Sequence, residues 1–90
     1  MDIEFDPAKR DQTLQARGLD FADAGEVFAG PTVTLEDTRK DYGETRWISM
    51  GILDGRPVVV VWTQRGEARR IISMRYAHDE EAQRFGFHLG

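Results

Sequence analysis

Residues 46–76 read RWISMGIL-DG-RPVVVVWTQ-RG-EARRIISMRY, and this stretch decides the fold. From Arg46 to Leu53 the side chains alternate, with Ile48, Met50 and Ile52 on one face and Trp47, Ser49 and Leu53 on the other. Period two is the signature of a strand. Asp54-Gly55 is a hairpin signal, because both residue types tolerate the positive φ of a two-residue turn. Val58–Thr63 follows, β-branched and apolar, as expected of a strand buried on both faces. Arg65-Gly66 then turns the chain into a last strand, Arg69–Tyr76. Strands joined by turns this short must lie antiparallel.

Upstream, Thr32–Leu35 is a further strand, followed by the polar loop Glu36–Gly43. Before it, Asp20 opens a helix in which Phe21, Ala24, Val27 and Phe28 share a face, and Gly30-Pro31 ends it. Asp6-Pro7 starts an earlier polar helix, Pro7–Arg17. The aspartate can accept orphan backbone N–H groups, proline suits the first helical position, and Gly18 fits the left-handed closing residue. Ile3 and Phe5 alternate with Asp2 and Glu4 in a short first strand. Downstream, His78–Phe85 is a short helix with Asp79 and Glu80 in its N-terminal turn, where the dipole favours negative charge. The tail Gly86–Gly90 takes no assignment. The order β-α-α-β-β-β-β-α predicts an α+β fold: a mainly antiparallel sheet with two N-terminal helices and a short C-terminal helix.

The chain has 90 residues, a formal charge of −4 and no cysteine. That length is one domain, 1–90, since two halves would each be too small to bury a core. Without cysteine there is no disulfide framework, no thiolate zinc site and no cysteine nucleophile. No apolar run approaches the ~18 residues of a membrane span, and the N-terminus lacks the profile of a signal peptide. A cytoplasmic protein is expected, with no membrane partner. Charge is uneven: residues 1–45 carry five bases and eleven acids, and residues 46–90 seven arginines and five acids. The acidic total argues against a nucleic-acid binder, and the arginine-rich second half argues for one.

No glycine-rich phosphate loop leads into a helix, and His78 and His88 have no companions at metal-ligand spacing. No metal or other cofactor is expected. The strand Arg69–Tyr76 is the best chemical candidate. Strict alternation puts Arg69, Ile71, Ser73 and Arg75 on one face and Arg70, Ile72, Met74 and Tyr76 on the other. Its arginines are either solvated surface residues or, as bidentate forks, ligands for the phosphates of a polyanion. Trp47, Trp62 and Tyr76 are likewise either core aromatics or stacking platforms for bases.

The chain resembles the BrnT family of bacterial toxins, the DUF497 group with a RelE-like fold, from about Ile3 to Phe85. The motifs that carry the resemblance are Phe5-Asp6-Pro7-Ala8-Lys9, Gly18-Leu19-Asp20-Phe21, Glu26-Val27-Phe28, Asp41-Tyr42-Gly43-Glu44-Thr45-Arg46-Trp47, Arg65-Gly66, and Arg70-Ile71-Ile72-Ser73-Met74-Arg75 followed by Ala77. The resemblance implies a small metal-independent ribonuclease that blocks translation. Its partner would be a BrnA-like ribbon-helix-helix antitoxin, through which alone it meets operator DNA. The chain departs from the pattern in three places. Where such toxins usually carry Lys-His-Gly it has Ala16-Arg17-Gly18; a common asparagine is Thr13; and a tyrosine of the last helix is Phe85. These replacements remove two proton-transfer groups, so a second reading stands beside the first: a catalytically weakened or inactive module that only binds an antitoxin-like partner.

If the chain cleaves RNA, Arg75, Arg46 and Arg70 are the candidates for stabilising charge on the phosphate. Arg75 is preferred, because alternation puts Arg70 on the opposite face unless the strand is bulged or twisted. Glu81 or Lys9 would serve as general base or acid. Arg65, Arg69, Arg70 and Trp47 would bind RNA. An antitoxin would bring acidic groups to Arg46, Arg69 and Arg75, with apolar anchors near Trp47 or Phe85–Leu89.

Overall fold

The computed structural model describes residues 2–86, and the expectations for Met1, His88 and the tail beyond Gly86 lie outside them. The elements are β1 (Asp2–Phe5), α1 (Pro7–Arg17), a 3₁₀ turn (Phe21–Asp23), α2 (Ala24–Ala29), β2 (Val33–Glu36), β3 (Trp47–Leu53), β4 (Arg56–Arg65), β5 (Ala68–Tyr76) and α3 (Asp79–Arg84). The strands form one sheet in the order β1-β5-β4-β3-β2.

Both hairpins follow from their turn residues. Leu53 pairs with Arg56 around Asp54 at φ 51° and Gly55 at φ 77°. Arg65 pairs with Ala68 around Gly66 at φ 58°. Two positive φ values in the first turn, and one at its first position in the second, match the hairpin turns whose twist suits adjoining strands. The β2–β3, β3–β4 and β4–β5 pairings are antiparallel.

The expected mainly antiparallel sheet is corrected to a mixed one, because β1 runs parallel to β5 from Asp2↔Ala68 to Phe5↔Ile71. Hairpin turns fix direction only for strands that they join. β1 reaches the sheet through helices instead, and the packing of Ile3 and Phe5 against the core sets its direction. The helices are corrected too. The segment after Asp20 divides into the 3₁₀ turn and the six-residue α2. Asp20 accepts from Ala22 N–H at 2.9 Å, only two residues on, and Arg10 holds the same carboxylate at 2.8 and 2.6 Å. That tight local closure favours a 3₁₀ turn over a continuous helix. His78 and Phe85 cap α3 instead of belonging to it.

The sheet has two faces. On the first, Val58, Val60, Ile71 and Met74 pack with Leu19, Phe21, Ala24 and Val27 in the main core. Gly51 lets α2 approach: a Cβ there would meet Val27 Cγ1 at 2.7 Å and Thr32 Cγ2 at 3.1 Å. Ser49, fully buried, is satisfied by Thr34 Oγ1 at 2.7 Å and by the Trp62 Nε1–H, which donates at 2.8 Å. On the second face Met50 and Val59 are buried, and α3 stands over them with Ala82 buried.

β5 does not alternate strictly. Val61 pairs with Ser73 and Trp62 with Ile71, so Ile72 is an extra residue, a bulge. The bulge shifts the phase of the strand. Arg69, Ile71, Met74 and Tyr76 therefore belong to the first face, and Arg70, Ser73 and Arg75 to the second. The expected separation of Arg70 from Arg75 is overturned. The physical reason is burial: Ile71 and Met74, three apart, both enter the core, which strict alternation forbids.

Candidate active site

The second face carries the charge. β5 brings Arg70 and Arg75 to it through the bulge, and β4 brings Arg65. Arg46, just before β3, reaches the same face by alternation from Trp47 on the first.

Each of these arginines holds a carboxylate. Arg75 donates to Glu81 through both nitrogens of its fork, Nη1 to Oε1 at 2.7 Å and Nη2 to Oε2 at 2.8 Å. Arg46 Nε donates to Glu44 Oε2 at 3.1 Å, Arg65 Nη2 stands 3.5 Å from Glu44 Oε1, and Arg70 Nη1 donates to Glu4 at 3.2 Å. The Arg75–Glu81 pair is the best made, because bidentate geometry adds strength and direction. Glu81 Oε1 also accepts the His78 backbone N–H at 2.9 Å, which ties the carboxylate to the start of α3. The Arg75 guanidinium, with that backbone bond, holds the Glu81 carboxyl at about 2, below its ordinary 4.5. Glu81 in turn raises the pKa of Arg75.

Lys9 is placed elsewhere. It lies on α1 and lines a shallow groove with Gln12, Thr13, Arg17, Ile72 and Ser73, beside β5 where β1 no longer pairs with it. Trp47 and Arg69 belong to the first face. Trp47 packs on Trp62 with ring centroids 6.2 Å apart, and Arg69 lies 4.3 Å from the Trp62 ring and 4.4 Å from that of Phe28. The sheet thus places Arg46, Arg65, Arg70 and Arg75 on one face, with Glu81 of α3 at Arg75, and Trp47 and Arg69 on the other. A partner contacting Arg46, Arg69 and Arg75 at once must wrap an edge of the sheet.

Three residues of the polar loop after β2 were not candidates. Asp37 continues the alternation of Val33 and Leu35, its N–H bonds to Arg46 O at 2.8 Å, and its side chain is only 1 % exposed. Arg39 grips that carboxylate through Nε and Nη2, both at 2.8 Å, and Tyr42 Oη donates to it at 3.1 Å. These bonds, with Arg39 first, hold the Asp37 carboxyl well below the usual carboxylate range. Arg46 stacks over the Tyr42 ring at 4.1 Å. The signal was the period-two run Val33, Leu35, Asp37, which carries the strand's face into the loop.

Among the described residues no group of three His, Asp or Glu side chains stands ready to hold a metal. Nor is any helix among them long and apolar enough to cross a membrane. A search of curated proteins returns no match. A family profile described as "Ribonuclease toxin, BrnT, of type II toxin-antitoxin system" matches residues 5–81, from the last residue of β1 to the carboxylate that holds Arg75. The match spans most of the chain, including all of β2 to β5, and the chain belongs to the BrnT family of ribonuclease toxins.

Proposed function

We propose that this chain is the toxin of a type II toxin–antitoxin pair, a metal-independent ribonuclease of RelE-like type that inhibits translation. It acts in the cytoplasm and is neutralised by a BrnA-like ribbon-helix-helix antitoxin, through which it meets operator DNA. The observation that supports this most is the bulge at Ile72, which gathers Arg70 and Arg75 on the face that holds Arg46 and Arg65.

Cleavage without a metal begins when a base takes the proton of a ribose 2′-hydroxyl. The oxygen attacks the adjacent phosphorus, the P–O5′ bond breaks, and an acid protonates the departing oxygen. Arg75 and Arg46 stabilise the extra charge on the phosphate, a role suited to donors fixed before the reaction. Arg65 and Arg70 extend the track for the RNA backbone, while Arg69 and Trp47 meet only a strand or partner that passes the sheet edge.

Glu81 couples binding to chemistry. In the free protein it is too acidic to be an effective base. A phosphate that displaces it from Arg75 frees the carboxylate from the bonds that depress its pKa, and it then lies beside the reacting group as a better base. Lys9, in its separate groove, is the less well placed alternative.

The pairing of every candidate arginine on this face with a carboxylate favours a second reading, a binding module without catalysis. The test is incubation of the purified chain with RNA in the presence of a chelator. The proposal expects cleavage by the wild type and its loss in Arg75→Ala. Intact RNA, with a stable antitoxin complex, would establish the second reading in its place.

A further inference from the structure

Resting on that reading, we propose that Arg39 is a further phosphate ligand of the RNA site, and that buried Asp37 is the residue that positions it. The argument starts from Asp37. A carboxylate whose side chain is 1 % exposed is costly unless it is fully bonded. Here it accepts the two-pronged Arg39 fork, the Arg39 backbone N–H at 3.2 Å and the Tyr42 hydroxyl. The acceptor is thus buried, while the Arg39 side chain is 70 % exposed.

That arrangement fixes the guanidinium without using it up. The fork spends Nε and one edge of Nη2 on Asp37, and Nη1 has no hydrogen-bond partner among the described residues. The outer edge of a planar guanidinium held in this way suits a phosphate oxygen. Because its rotamer is already set, little side-chain entropy is lost on binding. Arg75 differs, since both of its terminal nitrogens are committed to Glu81.

The neighbourhood carries both signs, with Lys40 and Arg46 beside Glu36, Asp41 and Glu44. Asp37 bonds to the backbone of Arg46, and Arg46 lies over the ring of the same Tyr42 that donates to Asp37. One loop therefore places two arginines along the second face. Arg39 is also near enough to Arg75 for its charge to disfavour that of Arg75.

The experiment uses a labelled single-stranded RNA with 2′-O-methyl riboses, which binds without being cut. Affinity is measured across salt concentrations for wild type, Arg39→Ala and Arg39→Gln, each checked for folding by its thermal melt. The glutamine variant keeps an N–H for Asp37 and deletes the charge, so it decides the matter should the alanine variant unfold. One phosphate contact contributes about 0.7 to the slope of log affinity against log salt for a single strand. Loss of about that amount, with weaker binding at low salt, is expected. A folded Arg39→Gln with wild-type affinity and slope overturns the proposal while leaving the nuclease reading intact. A wild type that binds no RNA overturns both.

Discussion

On the first face of the sheet, Val58, Val60, Ile71 and Met74 are closed under the helices, and Ser49 and Trp62 satisfy each other's polar atoms. On the second, Arg46, Arg65, Arg70 and Arg75 stay partly exposed, each held by a carboxylate. The first face is bound by burial, which is strong and does not depend on salt. The second, beside its own buried Met50, Val59 and Ala82, also holds pairs that salt, protons or a competing anion can exchange. The same strands serve both ends, so substitutions one residue apart along β5 should act on different properties. The first face should control stability and the second the handling of RNA.

Arg75→Ala is the largest test of that division. It removes a fixed donor from the reacting phosphate, and cleavage should fall by about 10²–10³-fold. The thermal midpoint should move little, because the lost pair is substantially solvated. A large loss of stability with activity per folded molecule preserved would mean that the second face is structural.

Glu81→Gln should separate two steps that Arg75→Ala joins. With the competing carboxylate gone, RNA binds more tightly, but no base appears when phosphate arrives, so cleavage falls by ~10²-fold or more. The same variant reports on acid stability. The folded pKa of Glu81, about 2, lies below its ordinary 4.5, so its pair contributes stability above about pH 4.5 and loses it as pH falls toward 2. Urea midpoints should therefore favour wild type at pH 6, by about 1 kcal/mol or less, and converge near pH 2. Weaker RNA binding by the variant at neutral pH would break the competition between Glu81 and phosphate.

Gly51→Ala probes the first face. Its Cβ would press on Val27, fully buried, and on Thr32, and overpacking of this kind costs about 1–3 kcal/mol. Cleavage per folded molecule should be unchanged, which chemical denaturation and activity measured side by side can show. Altered RNA affinity in the folded fraction would mean that the faces are coupled through β3.

Most of the fold was legible because turn chemistry and alternation act locally. Asp54-Gly55, Gly66 and the run Val58–Val61 each specify their structure within a few residues. The direction of β1 was not legible, since no turn joins it to a strand. The bulge had a trace, the apolar residues Ile71 and Met74 three apart in a strand. Without a burial pattern, though, strict alternation was the simpler reading. Of the candidate site, the arginines and Glu81 were found by residue type. That Arg70 joins Arg75, and that Arg69 leaves it, depended on one inserted residue in β5, whereas Trp47 parts from Arg46 by plain alternation along β3. Asp37 was missed because a buried carboxylate in a polar loop looks like any solvated one until Arg39 and Tyr42 close on it.

Glu4→Gln is the smallest test and the most direct comparison of the two kinds of bonding. Arg70 meets Glu4 at one contact of 3.2 Å, with side chains 31 % and 43 % exposed, on the edge strand β1. A pair so solvated is worth ~0.5 kcal/mol or less, so the urea midpoint should barely move. Glutamine keeps the packing and removes the charge that competes with phosphate for Arg70. RNA should then bind about twofold more tightly at low salt, the equivalent of ~0.5 kcal/mol, with the gain fading as salt rises. Were stability to fall by several times that amount with RNA affinity unchanged, the pair would be fastening β1 to β5. The charges of the second face would then be bonded like the core of the first.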